Sequence, residues 1–327
     1  MKEKVLITGA SGFLGFHLIE AALGKGMEVY AGVRKSSDIR HLVHLPISFV
    51  YIDLSSSNSL IKEIREKKFD YIIHAAGITR AKTEIQYNVV NADYTFNLAL
   101  AVQHSSISIK KFVHISSLAV LGPLDNLNEL IDESTIPKPV TKYGRSKLLS
   151  EIKLRQLNMP LVILRPTAIY GPRDTQILIL FRSIKRGLEP YIGKIEQRLS
   201  FIYVKDMADA AINALMSAHN GTYNLSDGNS YGRYDLANYL KFFMKKKTIR
   251  FHLPYGLVKM LAQTLEKAGR LFNKTPVINE DKLNELTGKN WVCSIEKAVK
   301  ELNFNPLYNL ERGLPESLQW YRQFNWL

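Results

Sequence analysis

Tyr143 and Lys147 stand four residues apart in Tyr-Gly-Arg-Ser-Lys, so on a helix they share one face. A free tyrosine has a pKa of about 10, too high for useful proton exchange at neutral pH. A neighbouring ammonium stabilises the phenolate and lowers that value. The phenol could then protonate a ketone, or take the proton of an alcohol, while hydride moves at the same carbon. A nearby hydroxyl would fix the substrate oxygen. Ser116-Ser117 follow Lys111 to Ile115, an apolar run that reads as a strand. Tyr-x-x-x-Lys also arises by chance as an exposed helical pair, so it gains meaning only from the elements that would position it.

The first of these elements is a glycine turn. Gly9-Ala-Ser11-Gly12-Phe13-Leu14-Gly15 follows the strand-like Val5-Leu6-Ile7-Thr8 and opens a helix-like stretch, Phe13 to Leu23. Gly9 permits the tight turn, Gly12 a close approach to a diphosphate, and Gly15 the packing of helix on strand. Free amides at the helix start would face the anion. The second run, Met27 to Val33, ends in Arg34-Lys35-Ser36-Ser37. An acid at that place would bond the adenosine ribose hydroxyls. Two cations and two hydroxyls suit a 2′-phosphate instead, so NADP is expected over NAD.

Further runs at Ile47 to Ile52, Tyr71 to Ala75 and Leu161 to Leu164 alternate with helical stretches at Asn58 to Lys67, Glu84 to Ser105 and Tyr143 to Arg155. Strands apolar on both faces, separated by helices, predict an α/β fold: a Rossmann-type doubly wound parallel sheet. Residues 1–170 would form the dinucleotide-binding domain, with some later segments returning to it. Residues 171–327 would form mainly a smaller, interleaved C-terminal substrate lobe, because no linker marks the boundary. Ile177 to Gly187, Met207 to Ser217 and Tyr234 to Lys246 look helical. Leu257 to Phe272 carries Leu257, Leu261, Leu265 and Phe272 near one stripe, expected to pack on the protein's own core.

The chain has 327 residues, 46% hydrophobic and 23% charged, which fits a folded globular protein and not a disordered one. No apolar stretch is long enough for a spanning helix. One Cys, Cys293, excludes a disulfide framework and a Cys-based metal cage, and His41 and His44 lack a third ligand, so no metal is expected. With no cleavable signal region at the start and a single Cys, a cytoplasmic location is expected. The net charge is +14. Between Gly228 and Asn279 ten Lys/Arg face only Asp235 and Glu266. The plain reading is a solvated helix face. No nucleic-acid-binding signature accompanies it, and surface association with a membrane remains an alternative.

Taken in order, Gly-x-x-Gly-x-x-Gly, His74-Ala75-Ala76-Gly77, Ser116-Ser117-x-x-x-x-Gly122, Tyr143-x-x-x-Lys147 and Arg165-Pro166-Thr167-x-x-Tyr170-Gly171-Pro172 resemble the extended short-chain dehydrogenase/reductases. That group includes nucleotide-sugar epimerases and dehydratases, hydroxysteroid dehydrogenases and dihydroflavonol reductases. The resemblance implies Tyr143 as acid/base, Lys147 as its partner and holder of the nicotinamide ribose, and Ser117 as the catalytic hydroxyl. Ser116 is its fallback at the substrate. Asn91 resembles the family's helix Asn near the active site. Asp53-Leu54 would contact adenine. Ala75, Ala76 and Gly77 would line the adenosine and ribose, and Pro166 and Thr167 would lie by the carboxamide. Arg198 resembles the Arg that grips a diphosphate in nucleotide-sugar members.

Two departures bear on the reaction. Val120-Leu121-Gly122 replaces a Val-Tyr-Gly common in the family, and Ser117-Leu118-Ala119 lacks the Asp and Glu of sugar dehydratases, which disfavours elimination of water. The expected activity is NAD(P)-dependent hydride transfer at a secondary alcohol or ketone carbon of a small molecule, as a reductase or hydroxysteroid-like dehydrogenase. A nucleotide-sugar epimerase and a non-catalytic NADP-sensing module are the alternatives. A homodimer is expected from the resemblance alone.

Overall fold

The computed structural model describes residues 2–271 and 279–327, with side chains at all of these except 266–271. The first half runs β1 (Lys4–Thr8), α1 (Phe13–Gly24), β2 (Glu28–Val33), β3 (Ser48–Tyr51), α2 (Ser57–Lys67), β4 (Tyr71–His74), α3 (Glu84–Asn88), a π turn (Val89–Asp93), α4 (Tyr94–His104), β5 (Lys111–Ile115), α5 (Lys142–Leu154) and β6 (Leu161–Pro166). The second half runs β7 (Ala168–Tyr170), α6 (Leu178–Lys185), β8 (Leu188–Ile192), β9 (Arg198–Leu199), β10 (Phe201–Tyr203), α7 (Val204–Met216), β11 (Gly221–Leu225), β12 (Tyr231–Gly232), α8 (Asp235–Met244), β13 (Ile249–Leu253), α9 (Tyr255–Leu271), α10 (Glu280–Leu286), α11 (Glu296–Leu302) and α12 (Leu310–Gln323).

Seven parallel strands lie in the order β11-β6-β5-β4-β1-β2-β3. The strands are apolar on both faces because both faces are covered. Val5 and Ile7 of β1 join a buried cluster with Leu18 and Ile19 of α1 and Met207 and Ala211 of α7. Leu6, which points the other way, packs with Leu60 and Ile64 of α2 and Leu98 and Val102 of α4. The chain builds outward from β1 to β3, then restarts at β4 on the other side of β1. That reversal opens a crevice at the carboxyl ends of β1 and β4, where the glycine turn and Ala75 lie.

The later segment α7–β11 returns to this sheet as its edge strand and covering helix. Ala298 and Leu302 of α11 join the same cluster as the sheet, whereas β7, α6, β10, β12, α8 and α12 pack a separate one around Tyr170, Phe181, Tyr203, Leu240, Leu314 and Tyr321. Two small parallel pairs, β7 with β10 and β8 with β13, and an antiparallel pair, β9 with β12, frame it. The terminal helix α12 docks there, with Tyr321 fully buried.

One expectation fails. Leu257, Leu261 and Leu265 do not pack on the core: they are 43%, 48% and 47% exposed. Helix α9 buries Val258 and Ala262 instead, the stripe one residue round. A leucine repeat of four fits either side of a helix, and the neighbours the fold supplies, α10 among them, decide which side is covered. Phe272 and Lys274, and the side chains of Lys267 and Arg270, lie outside the described residues. No helix among the described residues is long and apolar enough to cross a membrane.

Candidate active site

Helix α5 carries Tyr143 and Lys147. Thr141 caps it, its hydroxyl accepting the Gly144 N–H at 2.9 Å. Gly144 lies against the loop after β5; a Cβ there would stand 2.3 Å from the Ala119 carbonyl oxygen. This close approach brings Ser117 beside Tyr143, where its hydroxyl favours the phenolate. Tyr87 meets the Tyr143 ring edge-on at 6.4 Å.

Lys147 departs from the sequence expectation. Its Nζ donates to the Ile115 carbonyl oxygen at 2.6 Å. Burial draws the ammonium down to about 8, against an opposing pull from Glu151. Burial likewise pushes Tyr143 up to about 12, with Ser117 acting the other way and Glu285 adding to the rise. Sharing a helix face therefore does not make Tyr143 acidic in this state. The phenol keeps its proton, the form that can donate to a carbonyl oxygen.

Ser116 is also corrected. It is buried, and its hydroxyl donates to Glu151 Oε1 at 2.6 Å, so it is not offered to a substrate. Glu151 is fully buried and receives Arg165 through Nε at 2.9 Å and a second guanidinium nitrogen at 2.6 Å. Burial opposes its charge, but Arg165, Ser116 and Arg155 outweigh that and hold the carboxyl below its usual range. One carboxylate thus ties together α5, the end of β5 and the end of β6. The sequence reading missed it, although Tyr143, Lys147 and Glu151 repeat every four residues.

Asn91 sits in the π turn and is fully buried. Its amide donates to the Ile78 carbonyl at 3.0 Å and to Ser146 Oγ at 2.9 Å, and its carbonyl accepts the Ile78 N–H at 2.8 Å. It fastens the segment after Gly77 to α5. His74 is fully buried between Thr8 at 2.8 Å and Thr95 at 2.9 Å, and burial draws it down to about 3, so it packs as a neutral ring. Helix α10, not anticipated at the site, reaches it through Glu285 and through Asp281, which accepts the Lys142 N–H at 3.2 Å.

The glycine turn has the shape of a diphosphate cradle. Gly9 has φ +69°, and a Cβ there would lie 2.7 Å from the Ala75 backbone. At Gly15 a Cβ would fall 2.1 Å from the Gly9 carbonyl oxygen. Gly12 is the N-cap of α1 without a side-chain cap, and no acid stands in the first turn. Ser11, Phe13 and Leu14 line the same turn, each half-buried. Ala75 and Ala76 are half-buried and Gly77 exposed across from it. Pro166 is buried, and the buried Thr167 Oγ1 has no partner within the protein. A buried hydroxyl without a partner at the carboxyl end of a strand fits a polar ligand group there. These features together fit a nicotinamide dinucleotide.

The outlying residues stand apart. Arg34 and Lys35 are exposed at the end of β2. The exposed Asp53 accepts the Ser55 N–H at 2.9 Å, and Leu54 packs under it. Arg198 is exposed on β9 and reaches Ser230 Oγ at 3.3 Å. A cavity of about 420 Å³ near Asp227 and Tyr308 includes none of the expected residues. Among the described residues no group of three His, Cys, Asp or Glu could hold a metal.

Comparison with known proteins agrees with this geometry. The chain is 27% identical to ceramide reductase of Caulobacter vibrioides, over 99% of this chain and 96% of that one. It is 26% identical to a decarboxylating sterol-4-alpha-carboxylate 3-dehydrogenase of Dictyostelium discoideum, over 96% and 99%. Its fold matches the crystal structure of UDP-glucose 4-epimerase from Thermotoga maritima with UDP-glucose at a TM-score of 0.80, with 19% identity over 98% and 99% of the two chains. The family model for NAD-dependent epimerases and dehydratases matches residues 5–226, and the chain belongs to that family of enzymes.

Proposed function

We propose that this enzyme reduces a ketone, or oxidises the matching secondary alcohol, on a small hydrophobic molecule, using NADP. The placing of Ser117 beside Tyr143, with Gly144 packed on Ala119 next to the crevice, carries this reading. When bound, the dinucleotide supplies or accepts the hydride. Tyr143 Oη gives its proton to the carbonyl oxygen, or takes it from the alcohol, and the Ser117 hydroxyl holds the same oxygen in line. Lys147 would turn from Ile115 to the nicotinamide ribose. Asn91 and Glu151 keep the helix, the strand end and the loop in register. Gly9, Ser11, Gly12, Phe13, Leu14 and Gly15 would hold the diphosphate; Asp53 and Leu54 the adenine; Ala75, Ala76 and Gly77 the adenosine side; Pro166 and Thr167 the carboxamide.

Arg34 and Lys35 support NADP, because two exposed cations directly follow β2 and no acid stands among the first four residues after it. Likeness to a ceramide reductase and a sterol dehydrogenase supports an apolar carbinol or ketone. The epimerase alternative is favoured by the exposed Arg198, which could meet a diphosphate. A panel of UDP-, GDP- and dTDP-sugars against sterols, ceramide-type ketones and flavonoid-type ketones separates the readings. Stoichiometric change in nicotinamide absorbance with an apolar ketone supports the reductase. Inverted sugar stereochemistry with no net absorbance change would replace it. A non-catalytic sensor would turn over nothing while still binding NADP.

In this reading residues 1–170 and the returning α7–β11 bind the cofactor, and the rest of 171–327 binds substrate. The enzyme works in the cytoplasm as a homodimer and binds no nucleic acid.

A further inference from the structure

Two basic turns meet on one edge of the second lobe. Lys185 and Arg186 end α6, and Lys245, Lys246 and Lys247 follow α8; all five are exposed. The Ile249 N–H donates to the Gly187 carbonyl at 2.8 Å, which holds the two turns together. Glu189, on the strand that leaves the first turn, is 1% exposed and committed to Lys241 at 2.9 Å and Arg250 at 2.7 Å. Among the described residues, none of the five cations is paired with a carboxylate.

Apolar side chains stand among these cations. Phe242 is 74% exposed, Ile249 71% and Leu188 43%. Leu188 and Ile249 are register partners across β8 and β13, so they share a face, and Pro190 with the part-exposed Phe251 continues it. Glu189 and Arg250 take the opposite face, where Glu189 is buried and Arg250 covers it from solvent. The chain then enters α9, whose Leu257, Leu261 and Leu265 are also bare. A solvated helix face would not hold bulky apolar groups between lysines.

We propose that this face docks on the surface of an anionic lipid bilayer. Phe242, Leu188 and Ile249 enter the headgroup layer, and the five cations meet lipid phosphates and carboxylates. Charge complementarity selects this occupant. A second copy of the chain would bring five like charges against five. Nucleic acid would satisfy the cations and leave Leu188 and Ile249 with nothing to do, since phosphate contacts come from cations and polar groups.

The test is co-sedimentation of the full chain with phosphatidylcholine vesicles, with and without phosphatidylserine. Binding is expected only to the anionic vesicles and weakens as salt rises. Charge reversal by Lys245→Glu/Lys246→Glu/Lys247→Glu should weaken it at least about 100-fold. Phe242→Ser/Ile249→Ser should weaken it about tenfold with all charges kept. Both variants should bind NADPH as the parent does. Equal binding to neutral vesicles, or none to either, overturns the proposal. So does an apolar variant that binds as tightly as the parent, or a chain that prefers duplex DNA to anionic vesicles. Loss of vesicle binding with Tyr143-dependent turnover intact would sink the docking surface alone; docking without turnover would sink only the assigned reaction.

Discussion

Lys147 donates to the Ile115 carbonyl oxygen at 2.6 Å, one helical turn from Tyr143, and so holds its charge against the end of β5. Burial sets both groups. It draws Lys147 down to about 8 and pushes Tyr143 up to about 12. As pH rises, the lysine therefore loses its proton first, and the phenol keeps its own.

This order fixes the pH profile. Ketone reduction needs the phenol protonated and, in the proposed cycle, Lys147 charged. We expect kcat/KM for reduction to be level below about pH 8 and to fall roughly tenfold per unit above it. Lys147→Met should lower the plateau and abolish the break. A break that survives in the variant assigns it to another group.

Tyr143→Phe removes only the phenol oxygen. Turnover should fall about 100- to 10,000-fold while NADPH affinity, followed by fluorescence titration, stays put. A variant retaining near-parental rates would show that the proton comes from elsewhere.

Arg34 is exposed at the end of β2, where the adenosine ribose of a dinucleotide would lie. Arg34→Ala should weaken NADPH about tenfold or more and leave NADH nearly unchanged, since a charge-assisted contact to a 2′-phosphate is lost. An unchanged NADPH-to-NADH ratio refutes the 2′-phosphate assignment.

Glu151 and Arg165 form a buried, two-pronged pair. Glu151→Gln leaves a buried guanidinium without a counter-charge and should cost about 3 kcal/mol in urea unfolding. Pairing it with Arg165→Met should recover part of that loss. If the double variant is no more stable than the single, the pair does not explain the cost.

The sequence by itself determined the layered sheet, the glycine turn and the helix carrying Tyr143 and Lys147. These are local signals. Strands read from apolar runs, the turn from residues with special backbone freedom, and a helix face from a spacing of four. It also flagged Arg34, because nothing buries that residue and its chemistry stands at the strand end in plain order.

Tertiary structure decided what depends on a partner distant in sequence. Ser116 and Ser117 are neighbours in the chain, yet Ser116 bonds Glu151 while Ser117 lies beside Tyr143. Only the packing of Gly144 on Ala119 brings the second pair together. The direction of the Lys147 ammonium, the bonds by which Asn91 ties Ile78 to α5 and the presence of α10 at the site have the same origin. So does the fate of α9, whose leucines stay bare while Val258 and Ala262 are covered. A periodic pattern says that a helix has an apolar side; what comes to rest against that side is settled by the neighbours the fold brings to it.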